Sequence, residues 1–155
     1  MKKKNSIFIL TIFVLFCFIV FLKGLNNSNT YVPSEGTGKK LLSFNAKKLL
    51  NNEDINSDEF FVENKIYILN IWASWCAPCR DEHKILMQLS KNSAIKIIGL
   101  NYKDDLDSAK KFINNMGNPY SEIVTDEDGT ISIALGAYGV PETLVIDTNK
   151  IILKK

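Results

Sequence analysis

The sequence predicts an α/β fold built on a mixed sheet, and three observations carry that reading. A run too apolar and β-prone for anything but a buried strand, Ile66-Tyr67-Ile68-Leu69-Asn70-Ile71-Trp72, leads directly into a helical pattern. Strand and helix signals then alternate through residue 135. Two short β-prone segments, Thr143 to Asp147 and Ile151 to Leu153, are separated by a turn at Thr148-Asn149, which reads as a closing hairpin. At 155 residues and 46% hydrophobic content the chain has room for one core.

The first element is a targeting segment. Lys2, Lys3 and Lys4 precede an uncharged run from Ser6 to Leu22. Seventeen residues at ~1.5 Å each give about 25 Å, slightly short of a ~30 Å hydrocarbon core. Lys23 can snorkel, and Gly24-Leu25 extend the span. A cleaved signal peptide is the alternative, but no small-x-small site follows the run, so residues 1–25 read as an uncleaved anchor. The lysines place its start in the cytoplasm and the domain across the membrane. Cys17 reads as a small apolar membrane residue. Residues 26–40, rich in Asn, Ser, Thr and Gly, read as a tether to a domain over residues 41–155.

Without the four lysines of the anchor, the rest has 15 basic against 17 acidic residues. No basic-aromatic stripe appears, so nothing points to nucleic acid. The segment from Leu41 to Phe61 matches neither period and reads as short strands and turns. After the strand at Ile66–Trp72, apolar Ile85, Leu86 and Leu89 fall on one helical stripe. Ala94 to Asn101 is a strand, Asp105 to Met116 a helix stopped by Gly117, and Ser121 to Thr125 a strand. Asp126 to Gly129 form a turn, and a short helix runs on to Leu135.

The chemistry sits at the strand-to-helix junction, in Cys76-Ala77-Pro78-Cys79. A sulfur over a helix N-terminus meets unpaired N–H groups and the positive end of the helix dipole, which favour the thiolate. A thiolate with a second thiol one turn away can attack a disulfide and then be released by its neighbour. Other uses of the pair fit less well. Zinc usually takes four ligands, and beyond the pair the chain offers Cys17 and His83. Covalent haem attachment needs a His where Arg80 stands. A structural disulfide spanning two residues closes too small a loop to stabilise much. The reading is a redox pair with no metal and no cofactor.

Trp72-Ala73-Ser74-Trp75-Cys76-x-x-Cys79-Arg80 and the later Gly139-Val140-Pro141 resemble the thioredoxin fold. Asn101-Tyr102-Lys103-Asp104, Gly117-Asn118-Pro119-Tyr120 and Gly136-Ala137-Tyr138-Gly139-Val140-Pro141-Glu142-Thr143 narrow the resemblance to the membrane-anchored thiol:disulfide interchange proteins of cytochrome c maturation, the CcmG/DsbE family. It implies a thioredoxin-like fold with a mixed central sheet. The expected closing C-terminal helix is missing, which would leave apolar sheet surface open.

The resemblance also implies roles. Cys76 is the exposed nucleophile and Cys79 the buried resolving thiol. Pro141 is a cis-proline facing the disulfide, unless it is an ordinary turn proline, and Val140 offers its backbone to the substrate chain. Trp75 and Pro78 flank the site, Trp75 as a shield, whereas Trp72 is core. Glu82 and Glu142 are acidic neighbours that oppose the thiolate and bias the pair towards reduction. For Glu82 the competing reading is a solvated first-turn carboxylate; His83 reads as surface.

The implied function is reduction of disulfides in apocytochrome c, directly or through a partner thiol protein. The domain would work on the periplasmic side of a bacterial inner membrane, held by a single-pass anchor and re-reduced by a membrane electron donor. The alternatives are a general extracytoplasmic disulfide reductase or oxidant, and a non-catalytic module that binds apocytochrome.

Overall fold

The computed structural model describes the backbone of residues 2–26 and 36–155 and the side chains of residues 8–24 and 36–155. Two compact units are present, Met1–Val32 and Pro33–Lys155. The first contains helix α1, Lys2–Asn26, whose apolar side chains from Phe8 to Leu22 are exposed on every face. Among the described residues no helix is long and apolar enough to cross a membrane. The anchor read over residues 1–25 also includes residues 1–7, whose side chains lie outside the described set, as do residues 27–35 of the tether.

The second unit is a seven-stranded mixed sheet. Its strands are β1 (Asn45–Lys48), β2 (Asp54–Asn56), β3 (Ile66–Trp72), β4 (Ile95–Tyr102), β5 (Glu122–Asp126), β6 (Glu142–Ile146) and β7 (Ile152–Lys154). They lie in the order β2-β1-β5-β4-β3-β6-β7. The central β3, β4 and β5 are parallel, and the outer strands join antiparallel. A central parallel strand is covered on both faces, which explains why β3 reads as an apolar run broken only by Asn70. The stretch 41–61, read as short strands and turns, holds β1, β2 and a 3₁₀ turn, Ser57–Phe60, with Leu41, Leu49, Ile55 and Phe60 buried.

Alternation along β3 divides the core. Tyr67, Leu69 and Ile71 join Leu144 and Ile146 of β6 and Phe60 on one face. Ile68 and Trp72 face the other way, towards helices α2 (Ala77–Leu89) and α3 (Leu106–Met116). Helix α3 follows the sequence pattern closely. The Asp105 side chain accepts from the Ser108 N–H at 2.8 Å, and Gly117 ends the helix at φ 89. Helix α4, Thr130–Ala134, gets its cap from outside itself. The buried Asp126 carboxylate accepts from the Ile131 and Ser132 N–H groups and from the Ser132 hydroxyl.

The stripe predicted for α2 is displaced. Its buried face is Cys79, His83 and Leu86, spaced by four and three residues, and Ile85 is 58% exposed. His83 is therefore a core residue, 1% exposed, rather than a surface one. Residues one helical turn apart share a face, so anchoring Cys79 against the sheet carries His83 inward with it. The final strand, β7, pairs with β6 through a register shift at Val145/Ile146, and its Leu153 is 47% exposed.

Behind α2 the packing is tight enough to dictate a glycine. Trp72 stacks on Tyr120 with ring centroids 5.6 Å apart and lies 5.1 Å from Phe112. A Cβ on Gly99 would sit 2.8 Å from the Trp72 indole nitrogen and 3.1 Å from the Tyr120 ring. Gly99→Ala is expected to destabilise the fold by about 1–3 kcal/mol, the usual cost of forcing a rigid core apart. Urea unfolding of the full chain measures it, and an unchanged midpoint would show that the indole shifts freely.

Candidate active site

Cys76 and Cys79 form a disulfide at the N-terminus of α2. Cys76 is the N-cap residue, with extended backbone at φ −82 and ψ 108. Its sulfur accepts from the Cys79 N–H at 3.2 Å. Pro78 stands in the first turn, where its missing N–H costs nothing. This is the geometry that favours a thiolate once the bond is opened. Cys76 is not the exposed residue expected: like Cys79 it is buried, each 3% exposed. In the disulfide its sulfur is turned inward to bond Cys79, against a cluster that includes Trp72, Ala73 and the partly buried Val140.

The turn that presents Cys76 is gripped from two sides. On one side the Asp104 carboxylate accepts from the Ser74 N–H and, at 2.7 Å, from the Ser74 hydroxyl. The Asn101 side chain, at 2.9 Å, and the Asp105 N–H, at 2.9 Å, complete its shell. Next to it the Lys103 carbonyl accepts from the Trp75 indole at 3.0 Å. On the other side the Arg80 guanidinium donates to the Ser74 carbonyl at 2.7 Å while lying over the Phe112 ring. Trp75 is thereby fixed although 58% exposed. Neither Asp104 nor Arg80 was singled out from sequence. Arg80 directly follows the motif and Asp104 ends one of the recognisable later motifs, so position was the available signal.

Across from α2, the Val140–Pro141 peptide bond is cis. Val140 packs against the cluster that holds both half-cystines. Within the chain's described residues neither of its backbone groups is engaged in a hydrogen bond.

The two glutamates lie on opposite faces of the sheet. Glu142 opens β6 in register with Ile71, on the face away from α2. Its carboxylate pairs with Lys155 at 2.7 Å, and the Lys155 ammonium also donates to the Gly136 carbonyl. The charge of Glu142 is thus balanced where it stands. Glu82 lies in the second turn of α2, half-buried, so it is not the solvated first-turn carboxylate of the competing reading. Burial pushes its carboxyl above the ordinary carboxylate range, and a hydrogen bond from Asn70 holds it part of the way back. That bond, 2.8 Å from the Asn70 amide to Glu82 Oε1, starts a buried chain. The same amide nitrogen donates to the Thr143 hydroxyl at 3.0 Å, and the Tyr120 hydroxyl donates to Asn70 Oδ1 at 2.9 Å. Burial, and then the Glu82 charge, push the Tyr120 phenol above its ordinary range.

His83 donates from Nε2 to the Gly117 carbonyl at 3.0 Å, the only role a carbonyl partner leaves that nitrogen. Among the described residues its Nδ1 has no partner, and no group of three or more His, Cys, Asp or Glu side chains is placed to hold a metal.

Comparison with known proteins agrees with this site. Residues 36–155 match the redoxin family. The chain is 36% identical to the thiol:disulfide interchange protein DsbE of Escherichia coli (strain K12) over 98% of its own length and 84% of that protein's. It is likewise 36% identical to the DsbE of Haemophilus influenzae, with the same coverage. The thioredoxin domain of a thiol-disulfide oxidoreductase from Bacteroides vulgatus shares the fold, with a TM-score of 0.66 at 20% identity over 77% of this chain and 86% of that one. The chain belongs to the redoxin family and, within it, to the DsbE thiol:disulfide interchange proteins, which are disulfide oxidoreductases, and the Cys76–Cys79 disulfide is its candidate redox centre.

Proposed function

We propose that this chain reduces disulfides in apocytochrome c, or in a thiol protein that serves it, during cytochrome c maturation. The observation that carries the reading is the Cys76–Cys79 disulfide capping α2, with the unengaged backbone of Val140 beside the cis-Pro141. An extended substrate segment can pair with that backbone as an added strand. It would be guided by exposed Trp75 and Pro78, and by exposed Tyr138 two residues before Val140.

In the dithiol enzyme the Cys76 thiolate attacks one sulfur of the substrate disulfide; a mixed disulfide forms and one substrate thiolate leaves. Cys79 then loses its proton and attacks the Cys76 sulfur. The intramolecular disulfide forms, the second substrate thiolate leaves, and two electrons have passed to the substrate. Glu82, three residues beyond Cys79 on the same helix, takes up the Cys79 proton. Its raised carboxyl suits that task, since a base works best when its affinity for protons is near that required. A membrane electron donor returns the enzyme to the dithiol form.

We infer a position in the cell from α1. Three lysines, an apolar run and apolar side chains exposed around the helix support a single-pass anchor in a bacterial inner membrane, with the redox domain in the periplasm. Removing residues 1–25 should move the protein from the membrane to the soluble periplasmic fraction. If it is equally soluble with the segment intact, there is no anchor.

In cells, Cys76→Ser should reduce holocytochrome c to background, with partial recovery on adding a small thiol. Cys79→Ser should trap the substrate on Cys76 as a mixed disulfide. Normal cytochrome levels in Cys76→Ser would sink the maturation role. Traps dominated by unrelated secreted proteins would favour the general reductase, and a double Cys→Ser protein that still supports assembly would favour the binding module.

Glu82 also sets the poise of the pair. Its negative charge, close to the helix N-terminus, opposes the thiolate and so disfavours the dithiol form. Glu82→Gln should make the couple more oxidising by some tens of millivolts, at ~30 mV per tenfold in the equilibrium constant. Redox equilibration against glutathione measures it. Stability gives an independent check. A carboxyl raised in the folded state keeps its proton after the unfolded chain has released its own. The native state therefore loses stability as pH climbs from the ordinary carboxylate range through the raised one. At neutral pH Glu82→Gln should melt higher than the parent, and an unchanged potential together with an unchanged melting temperature would make Glu82 a surface charge.

A further inference from the structure

We propose that Tyr120 is a positioning residue for the redox pair: its hydroxyl fixes the orientation of the Asn70 amide, and that amide holds the Glu82 carboxylate in its place one turn beyond Cys79. The inference rests on the reading of Glu82 as the group that takes the Cys79 proton.

Asn70 is 0% exposed, so its amide must find every partner inside the protein. It has one acceptor oxygen and two N–H donors, and all are engaged. Tyr120 donates to Oδ1 at 2.9 Å, while Nδ2 donates to Glu82 Oε1 at 2.8 Å and to Thr143 Oγ1 at 3.0 Å. A carboxylate can only accept, so the nitrogen side of the amide must face Glu82 for as long as Glu82 is ionised. Protonated Glu82 would prefer the opposite orientation, in which its own O–H donates to Oδ1. With the amide turned, the Tyr120 oxygen could accept an N–H, but its own buried O–H would lose Oδ1, the acceptor it has among the described residues, and that cost disfavours the rearrangement. The amide then presents N–H to Glu82 in both states, and the ionised carboxylate gains relative to the acid.

Nothing else among the described residues reaches the oxygen side of this amide. Of the titratable groups on the elements around Glu82, His83 on its own helix bonds Gly117, and Glu142 on β6 is tied to Lys155 on the other face of the sheet. Tyr120 closes the Gly117-Asn118-Pro119-Tyr120 motif, where Asn118 Oδ1 accepts the Tyr120 N–H at 3.0 Å. The backbone turn and the stack on Trp72 therefore aim the ring before its hydroxyl does anything.

The test is Tyr120→Phe in the full-length chain, which keeps the stacked ring and removes only the hydroxyl. The Glu82 carboxyl carbon, identified as the ¹³C resonance lost in Glu82→Gln, is followed through a pH titration. Its protonation constant should rise about three- to tenfold in Tyr120→Phe, because the protonated form can then turn the amide and donate to Oδ1, while the ionised form keeps the Asn70 N–H it already has. The acid limb of the rate at which Cys79 resolves a preformed mixed disulfide on Cys76 should move to higher pH by the same factor. In a Glu82→Gln background Tyr120→Phe should change that rate no further. An identical Glu82 titration in the parent and Tyr120→Phe would overturn the proposal, as would equal slowing by Tyr120→Phe with and without Glu82. If the Glu82 titration moves while Glu82→Gln resolves the mixed disulfide at the parental rate, Tyr120 does position the carboxylate, and it is the proton-acceptor reading that fails.

Discussion

The four-residue turn from Ala73 to Cys76 is the constraint on which the rest of the site depends. A sulfur gains from a helix N-terminus only while it stays in line with the first N–H groups, and the effect fades within a turn. Here the Cys79 N–H meets the Cys76 sulfur because the turn before it has almost no freedom. Asp104 holds Ser74 by two bonds, the Lys103 carbonyl holds Trp75, and Arg80 reaches back along the helix to the Ser74 carbonyl. The grip comes from the end of β4 and from α2 itself, both of which rest on β3. Strand pairing in register over Ile66–Trp72 and Ile95–Asn101 is thereby converted into placement of one sulfur.

Below that turn the sheet carries polar groups where an apolar core would be simpler. Asn70 interrupts the apolar run of β3 on the face that supports α2, and its amide is fully bonded. Unsatisfied, such an amide would cost on the order of 1–3 kcal/mol. The network is affordable in a central parallel strand because β6 and the segment before β5 each supply one hydroxyl. Glu82 is left half-buried at its rim, poorly solvated and supported by a single protein donor.

How far the sequence could be read depended on how local each signal was. The strand at Ile66–Trp72, the helix starting at Asp105, its stop at Gly117 and the hairpin after Glu142 are written in neighbouring residues, and they appear where expected within about a residue. The redox motif was legible for the same reason: its chemistry requires two cysteines one turn apart beside a strand end. What escaped depends on pairings between distant segments. The inward rotation of His83 follows from the phase of α2 against the sheet, which Ile85, Leu86 and Leu89 misstate because Ile85 faces solvent. The two glutamates looked equivalent, yet register puts Glu142 on the face of Ile71 and beside Lys155, while Glu82 shares the face of Asn70. No local pattern in the sequence encodes which side of a sheet a charge will meet.

The burial of Cys76 has a consequence for selectivity. With 3% of each half-cystine exposed, the oxidised enzyme offers almost no sulfur to a thiol arriving from solution. Small reductants and oxidants of the surrounding pool would collide with Trp75, Pro78 or Tyr138 far more often than with the bond itself. A partner that pairs with Val140, as proposed above, would hold its thiolate near the sulfur, whereas a free thiol reaches it slowly. The disulfide is insulated in the electrical sense: current flows where a matching plug is seated, and leakage to the bulk is suppressed by geometry rather than by potential.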